Sequence, residues 1–421
     1  MKIIVLGAGV IGTTSAWYLS QCGHEVTVVD RQNAAGMETS FANGGQISVS
    51  HAEPWANPSA PLKALRWLMR EDAPLLFRMR ADPAQWRWGL RFLIECLPSR
   101  TRHNIVQLVN LGLYSRAALQ SLRRETGIEY DQLDKGILHF YSSAPEFAAA
   151  QEPARLMREH GCDIEMLDAD QIIAVEPALK QARHLIAGAS LAKSDESGDA
   201  HQFTQGLAAL AAQRGVRFLY DTAIRTVVAG DGCIDKVLVK RAGDGGAGQD
   251  EVLQADAYLL ALGSYSASMA KSLGLDLVIY PAKGYSVTLP VANPDLAYTV
   301  SLSDDKHKLV FSRLGSRLRI AGTAEFNGFN TELNAVRCQA IMRRVTELFP
   351  GAANVAEAQY WTGLRPATPS NVPYIGRTRY RNLFLNTGHG TLGWTHACGS
   401  GCAIAEIISG RKPEVDFAFA A

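Results

Sequence analysis

The stretch NTGHGTLGWTHACGSG at residues 386–401 combines five glycines with side chains that can bind metals. His389, His396 and Cys398 are the candidate ligands, but their spacing matches no recognised zinc motif. Cys398 and Cys402 are four positions apart, as two residues on one face of a helix would be. We therefore predict no metal. The glycines instead predict a strand, a tight turn and a helix at roughly residues 398–409, with the backbone close to a flat cofactor.

A second glycine cluster lies near the N-terminus, where KIIVL is followed directly by GAGVIG. Gly7, Gly9 and Gly12 form a GxGxxG pattern before a predicted helix at residues 13–21, and Asp30 ends the next predicted strand. Glycine at these positions allows a tight turn, a close approach to a pyrophosphate, and close packing of helix on strand. Asp30 would accept hydrogen bonds from ribose hydroxyls. The pattern predicts a dinucleotide site without separating NAD from FAD.

The segment ETSFANGGQ at residues 38–46 favours FAD over NAD. Its hydroxyl and glycine residues follow the Asp30 strand after a short loop, and they can meet a phosphate or the polar edge of a ring. An NAD enzyme would more usually continue here into another helix and strand. A surface turn is an equally good interpretation of this segment on local chemistry alone.

The chain has 421 residues, the composition of an ordinary globular protein and room for two domains. Its formal net charge of +1 gives no reason to expect nucleic acid as a partner. Seven cysteines without a CxxC pair indicate a reducing compartment. The sequence predicts neither a secretory leader nor a membrane-spanning run. The expected location is cytoplasmic, with peripheral contact on the cytoplasmic face of the inner membrane left open.

Three predicted strands end in glycine-rich turns at the edge where an open α/β sheet binds ligands. The first strand begins at Lys2, the second ends at Gly263, and the third runs into residues 386–390. One domain is therefore assembled from segments that lie far apart in the sequence. We predict an α/β fold with a Rossmann-like domain and an inserted α+β substrate domain that contains a large mixed or antiparallel sheet. The predicted ranges are 1–60, 190–275 and 355–421 for the first domain, and 61–189 and 276–354 for the second.

Motifs along the whole chain resemble those of one family of enzymes. They are VLGAGVIG, ETSFANGGQIS, PWANPSAPLKALRW, ALGSYS, YPAKGYSVTLP, GFNTEL, WTGLRPATPSNVPYIGRT and NTGHGTLGWTHACGSG. In this order they resemble the D-amino acid oxidase and glycine oxidase superfamily of FAD enzymes, and most closely the small subunits of its bacterial D-amino acid dehydrogenases. The resemblance implies bound FAD. The implied cofactor residues are Gly7, Gly9, Val10, Ile11, Gly12, Asp30, Arg31, Thr39, Ser40, Asn43, Gly44, Gly45, Gln46, Ile224, Gly263, Gly388, His389, Gly390, Thr391, Leu392 and Gly393.

The resemblance also implies a substrate site around Arg365 in WTGLRPATP. A planar guanidinium there would hold the substrate carboxylate with two parallel hydrogen bonds and aim Cα–H at flavin N5. Tyr280 and Tyr285 flank PAKG and are candidate substrate contacts, with packing of the core or a lid as the open alternative. His51 is a candidate at the rim of the substrate site.

The implied reaction is the oxidative deamination of a D-amino acid to a 2-oxo acid and ammonia, by hydride transfer from Cα to flavin N5. Electrons would then pass to a quinone or another non-oxygen acceptor. Two alternatives remain: oxidation of a secondary amine such as D-proline, D-hydroxyproline or sarcosine, and a flavin-binding subunit without catalysis. His51 and Glu53 depart from the family pattern, which leaves the substrate side chain open.

Residues 61–102 carry three tryptophans beside several arginines. Tryptophan with basic residues suits contact with a membrane interface. A pair of amphipathic helices that packs on the second domain is the alternative, and the pattern favours it.

Overall fold

The computed structural model describes residues 1–67, 70–242 and 248–420. The strands, in chain order, are β1 (Lys2–Leu6), β2 (Glu25–Val29), β3 (Gln46–Ile47), β4 (Leu75–Phe77), β5 (Ile137–Tyr141), β6 (Ile164–Leu167), β7 (Gly188–Ala192), β8 (Glu196–Ser197), β9 (Arg217–Leu219), β10 (Thr222–Gly230), β11 (Cys233–Arg241), β12 (Gln249–Leu253), β13 (Ala257–Leu260), β14 (Tyr280–Pro290), β15 (Ser301–Asp304), β16 (Leu309–Leu314), β17 (Arg317–Phe326), β18 (Gln359–Ala367), β19 (Tyr374–Arg377) and β20 (Leu383–Thr387). The α-helices are α1 (Val10–Gln21), α2 (Ala60–Trp67), α3 (Pro83–Glu95), α4 (Pro98–Thr126), α5 (Ala144–Ala149), α6 (Gln151–Glu159), α7 (Ala169–Val175), α8 (Ala200–Gln213), α9 (Ser266–Ser272), α10 (Ala335–Leu348) and α11 (Gly393–Ile408). Short 3-10 turns lie at Val49–His51, Pro177–Leu185, Gly263–Tyr265, Val355–Glu357 and Gly390–Leu392.

A six-stranded sheet with the order β19-β20-β13-β1-β2-β9 carries the glycine-rich turns. Its strands from β20 to β9 are parallel, and β19 is antiparallel to β20. Ile3 and Val5 pack on one face in a core that also contains Phe203 of α8. Ile4 packs on the other face in a core shared with Val237 of β11. Burial of both faces explains why β1 is a continuous apolar run.

A nine-stranded sheet follows the order β18-β14-β17-β16-β15-β5-β7-β6, with β4 paired to β17. Its pairs are antiparallel except β15 with β5 and β17 with β4. Helix α10 and the Pro177–Leu185 turn contribute Ile341 and Leu179 to its core, which also contains Phe311 of the sheet. The predicted fold class, a Rossmann-like unit combined with a large mixed sheet, is confirmed by this topology.

The predicted domain boundaries do not follow the two sheets, because they assign one strand of the large sheet to the cofactor domain. The boundary at 354/355 precedes β18, which pairs with β14 along nine residues of the large sheet. Arg365 is therefore carried by the large sheet, although the predicted range placed it in the cofactor domain. The division into domains remains a prediction.

The C-terminal helix differs from the expectation, because α11 begins at Gly393 and not near residue 398. A Cβ on Gly399 would lie 2.7 Å from the Cα of Ser115 in α4, and one on Gly401 would lie 2.9 Å from the backbone of Thr14 in α1. These two glycines therefore allow α11 to pack closely on α4 and α1, and they do not form a turn at the cofactor. In the part of the chain that the structure describes, no helix has the length and apolarity needed to span a membrane.

Candidate active site

A cavity of about 1880 Å³ is lined by residues of both sheets. This volume exceeds the roughly 300–1,000 Å³ that is usual for small-molecule sites. It is consistent with a site for a dinucleotide and a substrate together. The cavity meets the carboxyl ends of β1, β13 and β20, where the three predicted glycine-rich turns lie.

The predicted cofactor residues line this cavity, except Gly12. Those that line it are Gly7, Gly9, Val10, Ile11, Asp30, Arg31, Thr39, Ser40, Asn43, Gly44, Gly45, Gln46, Ile224, Gly263, Gly388, His389, Gly390, Thr391, Leu392 and Gly393. A Cβ on Gly12 would overlap the carbonyl oxygen of Gly7, so Gly12 allows α1 to pack on the turn after β1. The contact of each of these residues with the cofactor remains a proposal.

The turn after β1 has the shape that a pyrophosphate requires. Gly7 has φ +108°, and a Cβ there would lie 2.5 Å from the carbonyl oxygen of Ala261. The carboxylate of Asp30 accepts the backbone N–H of Ala8 at 2.6 Å and that of Gln32 at 2.9 Å. Burial raises the pKa of Asp30. Asp30 thus fixes the glycine turn, and its remaining lone pairs are available to ribose hydroxyls.

The loop at residues 42–46 is fixed against the nine-stranded sheet. Ser312 of β16 donates to the carbonyl of Gly44 at 2.7 Å, and Gln46 donates to the carbonyl of Leu302 at 2.9 Å. A Cβ on Gly44 would lie 2.5 Å from a methyl of Val310. Thr39 donates its hydroxyl to the carbonyl of Leu364 at 2.9 Å, so only its acceptor capacity remains for a cofactor.

The C-terminal loop closes this end of the cavity beside the strand that carries Arg365. Gly388 and Gly390 have φ of +84° and +54°, and His389 forms a bridge with Ala367 of β18. Burial, with a smaller effect from the neighbouring His396, holds the pKa of His389 well below its usual range, so its ring is neutral. His389 Nε2 is buried and has no hydrogen-bond partner in the described residues. The turn formed by Gly388 and Gly390, with the unpartnered Nε2 of His389 beside it, fits a flavin ring.

Arg365 lies on β18 and lines the same cavity. Its Nη1 donates to the carbonyl of Thr323 at 2.8 Å. Thr323 has φ +52°, an uncommon conformation for a β-branched residue, next to a register shift between β14 and β17. Gly284 lies opposite, and a Cβ there would overlap the guanidinium of Arg365. A strained bulge and a glycine therefore set the position of this arginine.

The Arg365 guanidinium lacks a carboxylate partner among residues 1–67, 70–242 and 248–420. Burial, with a smaller effect from the charge of Arg337, lowers the pKa of Arg365 to about 10. The group is therefore cationic at neutral pH. An enclosed cation that faces a cavity without a counter-ion is able to hold an anion such as a carboxylate.

The two predicted tyrosines lie in different places. Tyr285 lines the cavity, but its hydroxyl donates to Glu325 Oε2 at 2.5 Å, so only its ring is available to a substrate. The hydroxyl of Tyr280 donates to Asp82 Oδ2 at 2.9 Å, and Tyr280 is not among the cavity-lining residues. The structure thus does not bring Tyr280 to the site, and packing explains its burial.

Glu325, which the sequence prediction did not name, is buried beside Tyr285. It is 2% exposed, accepts the Tyr285 hydroxyl, and lies 3.1 Å from both Lys283 Nζ and Arg78 Nε. Lys283 is buried in this network. A hydrogen bond from Tyr285, another from Lys283 and the nearby charges lower the pKa of Glu325 against the effect of its burial.

His51 lines the cavity, as predicted for the substrate rim. Burial and the charges of His139 and Lys308 lower the pKa of His51 to about 3. His139 and Asp305, which the sequence prediction also missed, lie beside it. No sequence signal joins these residues, because they come from β5 and from the turn after β15, and only sheet pairing brings them together. In the described residues no group of three or more His, Cys, Asp or Glu side chains is placed to hold a metal ion.

The two sheets, the glycine turns and an arginine in one cavity are typical of an enzyme that binds a dinucleotide next to a small anionic substrate. A family model described as FAD dependent oxidoreductase matches residues 2–407. The chain belongs to this family, which confirms the predicted resemblance and FAD as the cofactor.

Curated relatives and solved structures agree with this assignment. The chain is 60% identical to a D-amino acid dehydrogenase of Dechloromonas aromatica, over 100% of this chain and 99% of the relative. It is 53% identical to a D-amino acid dehydrogenase of Paramagnetospirillum magneticum, over 99% and 96%. Its fold is similar to that of glycine oxidase from Geobacillus kaustophilus, with a TM-score of 0.75, 22% identity and coverage of 98% and 96%.

Proposed function

We propose that the protein oxidises D-amino acids to 2-oxo acids and ammonia with FAD as the hydride acceptor. The named activity of relatives up to 60% identical supports this proposal. The observation that carries it is Arg365, an enclosed cation that faces the cavity without a carboxylate partner in the described chain. A D-amino acid supplies the missing carboxylate.

The residues of the chain bind and orient the substrate. Arg365 would take the substrate carboxylate with the N–H groups that Thr323 does not use, and the planar fork would fix the carboxylate in one orientation. The ring of Tyr285 and the buried Phe326 line the cavity nearby, so they exclude water from the substrate. Bound FAD would supply the redox chemistry by accepting the hydride of the substrate Cα at N5.

We further propose a quinone as the electron acceptor. Leu65, Leu90 and Leu93 line the cavity and are 64%, 66% and 53% exposed. The cavity therefore reaches an apolar surface, where a lipid-soluble molecule could approach it. This route lies on α2 and α3, away from the glycine turn after β1.

The same surface supports peripheral contact with a membrane. Leu62, Met79 and Ile94 extend the exposed apolar area, and α2 buries none of its side chains. Exposed basic residues surround it, namely Lys63, Arg66, Arg70, Arg87, Arg91 and Arg100. Apolar side chains with a basic border suit an anionic lipid surface. Of the segment predicted for this contact, residues 68 and 69 lie outside the described residues.

The reaction is tested by steady-state assay of the purified holoenzyme with an artificial electron acceptor. The panel contains D- and L-amino acids together with D-proline, D-hydroxyproline, sarcosine and glycine, and it measures the 2-oxo acid and ammonia. The proposal expects primary D-amino acids to give both products. A preference for secondary amines by kcat/KM would contradict the proposed substrate class.

A further inference from the structure

The strand pair beside Arg365 contains a β-bulge. In the pairing of β14 with β17 a register shift follows Lys283, where the single residue Gly284 faces both Thr323 and Ala324. One common type of bulge places a glycine in the left-handed conformation. Here Thr323 adopts it, with φ +52°, although its branched side chain disfavours this backbone. The bulge therefore depends on contacts around it to keep its shape.

The backbone groups of the bulge are all hydrogen-bonded. The N–H of Thr323 donates to the carbonyl of Lys308 at 3.2 Å, and the carbonyl of Thr323 accepts Arg365 Nη1 at 2.8 Å. The N–H of Ala324 donates to the carbonyl just before β4 at 2.8 Å, and the carbonyl of Ala324 accepts Arg337 Nη2 at 3.2 Å. The arginine thus receives its carbonyl partner in one direction for as long as the two strands keep this register.

The Glu325 carboxylate joins the two strands beside the bulge. It accepts the Tyr285 hydroxyl at 2.5 Å and lies 3.1 Å from Lys283 Nζ. Lys283 and Tyr285 are the chain neighbours of Gly284, so one carboxylate of β17 holds β14 on both sides of the residue that faces the bulge. Arg78 Nε lies 3.1 Å from the same carboxylate and connects it to the segment after β4.

The pair of Glu325 and Lys283 is buried on both sides, since each side chain is 2% exposed. Lys283 Nζ also donates to Asn330 Oδ1 at 2.9 Å and to the carbonyl of Glu332 at 3.0 Å. Burial of an ion pair costs about as much in lost hydration as the attraction restores, so the pair adds little to stability. It does fix directions, because a buried charge that loses a partner is strongly destabilised.

The guanidinium of Arg365 lies directly against the bulge. A Cβ on Gly284 would lie 2.1 Å from Arg365 Nη1, so only a glycine leaves room for the group. The other contact that places the guanidinium is the carbonyl of Thr323. A change in the register of β14 against β17 would move these two contacts relative to each other.

We propose that Glu325 is a positioning residue, which holds Arg365 in place for the substrate carboxylate. The inference rests on the proposed function, because it concerns the group that would bind the proposed substrate. Glu325 does not line the cavity, so it touches no substrate itself. Loss of its charge releases Lys283 and Tyr285, the register at the bulge relaxes, and the guanidinium loses the carbonyl of Thr323.

The first test measures the binding of propionate, a carboxylate without an amine to oxidise. Calorimetric titration of the holoenzyme should give a Kd that is roughly tenfold higher in Glu325→Gln than in the parent, the effect of ~1.4 kcal/mol. Tyr285→Phe keeps the ring and removes one hydrogen bond to the carboxylate, so it should raise the Kd about threefold. Glu176→Gln is the matched control, because Glu176 is also buried and accepts two backbone N–H groups before β15. Its Kd should equal that of the parent.

The second test repeats the titration in the Arg365→Ala background. There Glu325→Gln should change the Kd by less than about twofold, because the group that it positions is gone. With Arg365 present, Glu325→Gln should raise KM for D-alanine by the same factor as the Kd and change kcat by less than about twofold. An unchanged Kd in Glu325→Gln, or a tenfold effect that persists without Arg365, overturns the positioning role.

Failure of the proposed function gives a different result. If D-alanine does not reduce the flavin, or if Arg365→Ala leaves the Kd of propionate unchanged, the proposed function is contradicted. A crystal structure of Glu325→Gln then decides the positioning role: the bond from Arg365 Nη1 to the carbonyl of Thr323 should be lost, and a bond that remains at 2.8 Å overturns the role. If Glu325→Gln does not fold, the same measurements on Tyr285→Phe decide it.

Discussion

At the scale of single residues, the site depends on how the backbone holds one guanidinium. The carbonyl of Thr323 holds Arg365 by a hydrogen bond, and the lack of a side chain on Gly284 leaves room for its guanidinium. The strain at Thr323 is consistent with a role in placing that carbonyl, because such conformations persist where the surrounding structure enforces them.

Replacing Arg365 with alanine should raise KM for D-amino acids on the order of 10²-fold, because a charge-assisted hydrogen-bonded pair contributes about 1.5–3 kcal/mol. FAD content, read from the absorbance of the purified protein, should stay at the parent level. Arg365→Lys is the matched control: it keeps the charge but loses the fork, so it should recover only part of the affinity. Unchanged kinetics in the alanine variant would exclude Arg365 as the carboxylate ligand.

Gly284→Ala should weaken substrate binding without loss of FAD, because the new methyl would overlap the Arg365 guanidinium and displace it. We expect a rise in KM of at least about tenfold, equivalent to ~1.4 kcal/mol. Gly89→Ala is the control, since a Cβ there has no atom within 4 Å and lies inside α3. Similar KM values for the two variants would show that Arg365 does not need the space over Gly284.

At the scale of elements, the start of α11 buries a neutral histidine. His396 is 1% exposed, and burial lowers its pKa to about 4 against an ordinary value of 6.5. The positive end of a helix dipole also disfavours an imidazolium in the first turn. The stabilisation from keeping this ring neutral is fully present above pH 6.5 and is lost as the pH falls through about 4.

The free energy of unfolding should therefore fall as the pH decreases from 6.5 to 4, and His396 should account for about 3 kcal/mol of the fall. Denaturant titration at several pH values measures this dependence. His396→Gln should flatten the slope, and His103→Gln, at an exposed position, should leave it as in the parent. An unaltered slope in His396→Gln would contradict a neutral buried ring.

The sequence predicted elements best where local pattern and tertiary role coincide. The run KIIVLGAGVIG specifies a buried strand, a glycine turn and a helix; all three occur in that order, and the helix begins three residues earlier than predicted, at Val10. The start of α11 was missed because Gly393, Gly399 and Gly401 look like loop residues, although the last two permit close contact with α4 and α1.

The site prediction was incomplete for a similar reason. The GxGxxG pattern and the motif around Arg365 are local, so their residues could be named from the sequence. Thr323 and His139 reach the cavity only through the pairing of β16 with β17 and of β5 with β15. Tyr280 was named because it resembles a substrate contact, but the direction of its hydroxyl toward Asp82 depends on α3 and cannot be read from one strand.

At the scale of the whole molecule, the cavity connects the cofactor residues to an exposed apolar surface on α2 and α3. Under the proposed function, a quinone would approach the cavity at this surface. This approach gives the proposed membrane contact a function, because a quinone resides in the lipid.

Replacing three exposed apolar residues of this surface should weaken binding to anionic vesicles by about tenfold or more, because each removes apolar area from the interface. Flotation measures binding, and reduction of a vesicle-borne ubiquinone should fall in parallel. Flavin reduction by D-alanine should not change. The variant is Leu62→Gln, Met79→Gln and Ile94→Gln, and the control with exposed apolar positions elsewhere is Val252→Gln, Val336→Gln and Val355→Gln. Equal flotation of both variants would exclude this surface.

The central claim is that the enclosed arginine presents a D-amino acid to bound FAD. Its most direct test is anaerobic titration of the purified holoenzyme with the two enantiomers of one amino acid, followed by the flavin absorbance. The account predicts that D-alanine bleaches the flavin stoichiometrically, that the L-enantiomer does not, and that Arg365→Ala bleaches only at much higher concentrations. Bleaching by both enantiomers at equal rates, or by neither, would contradict it.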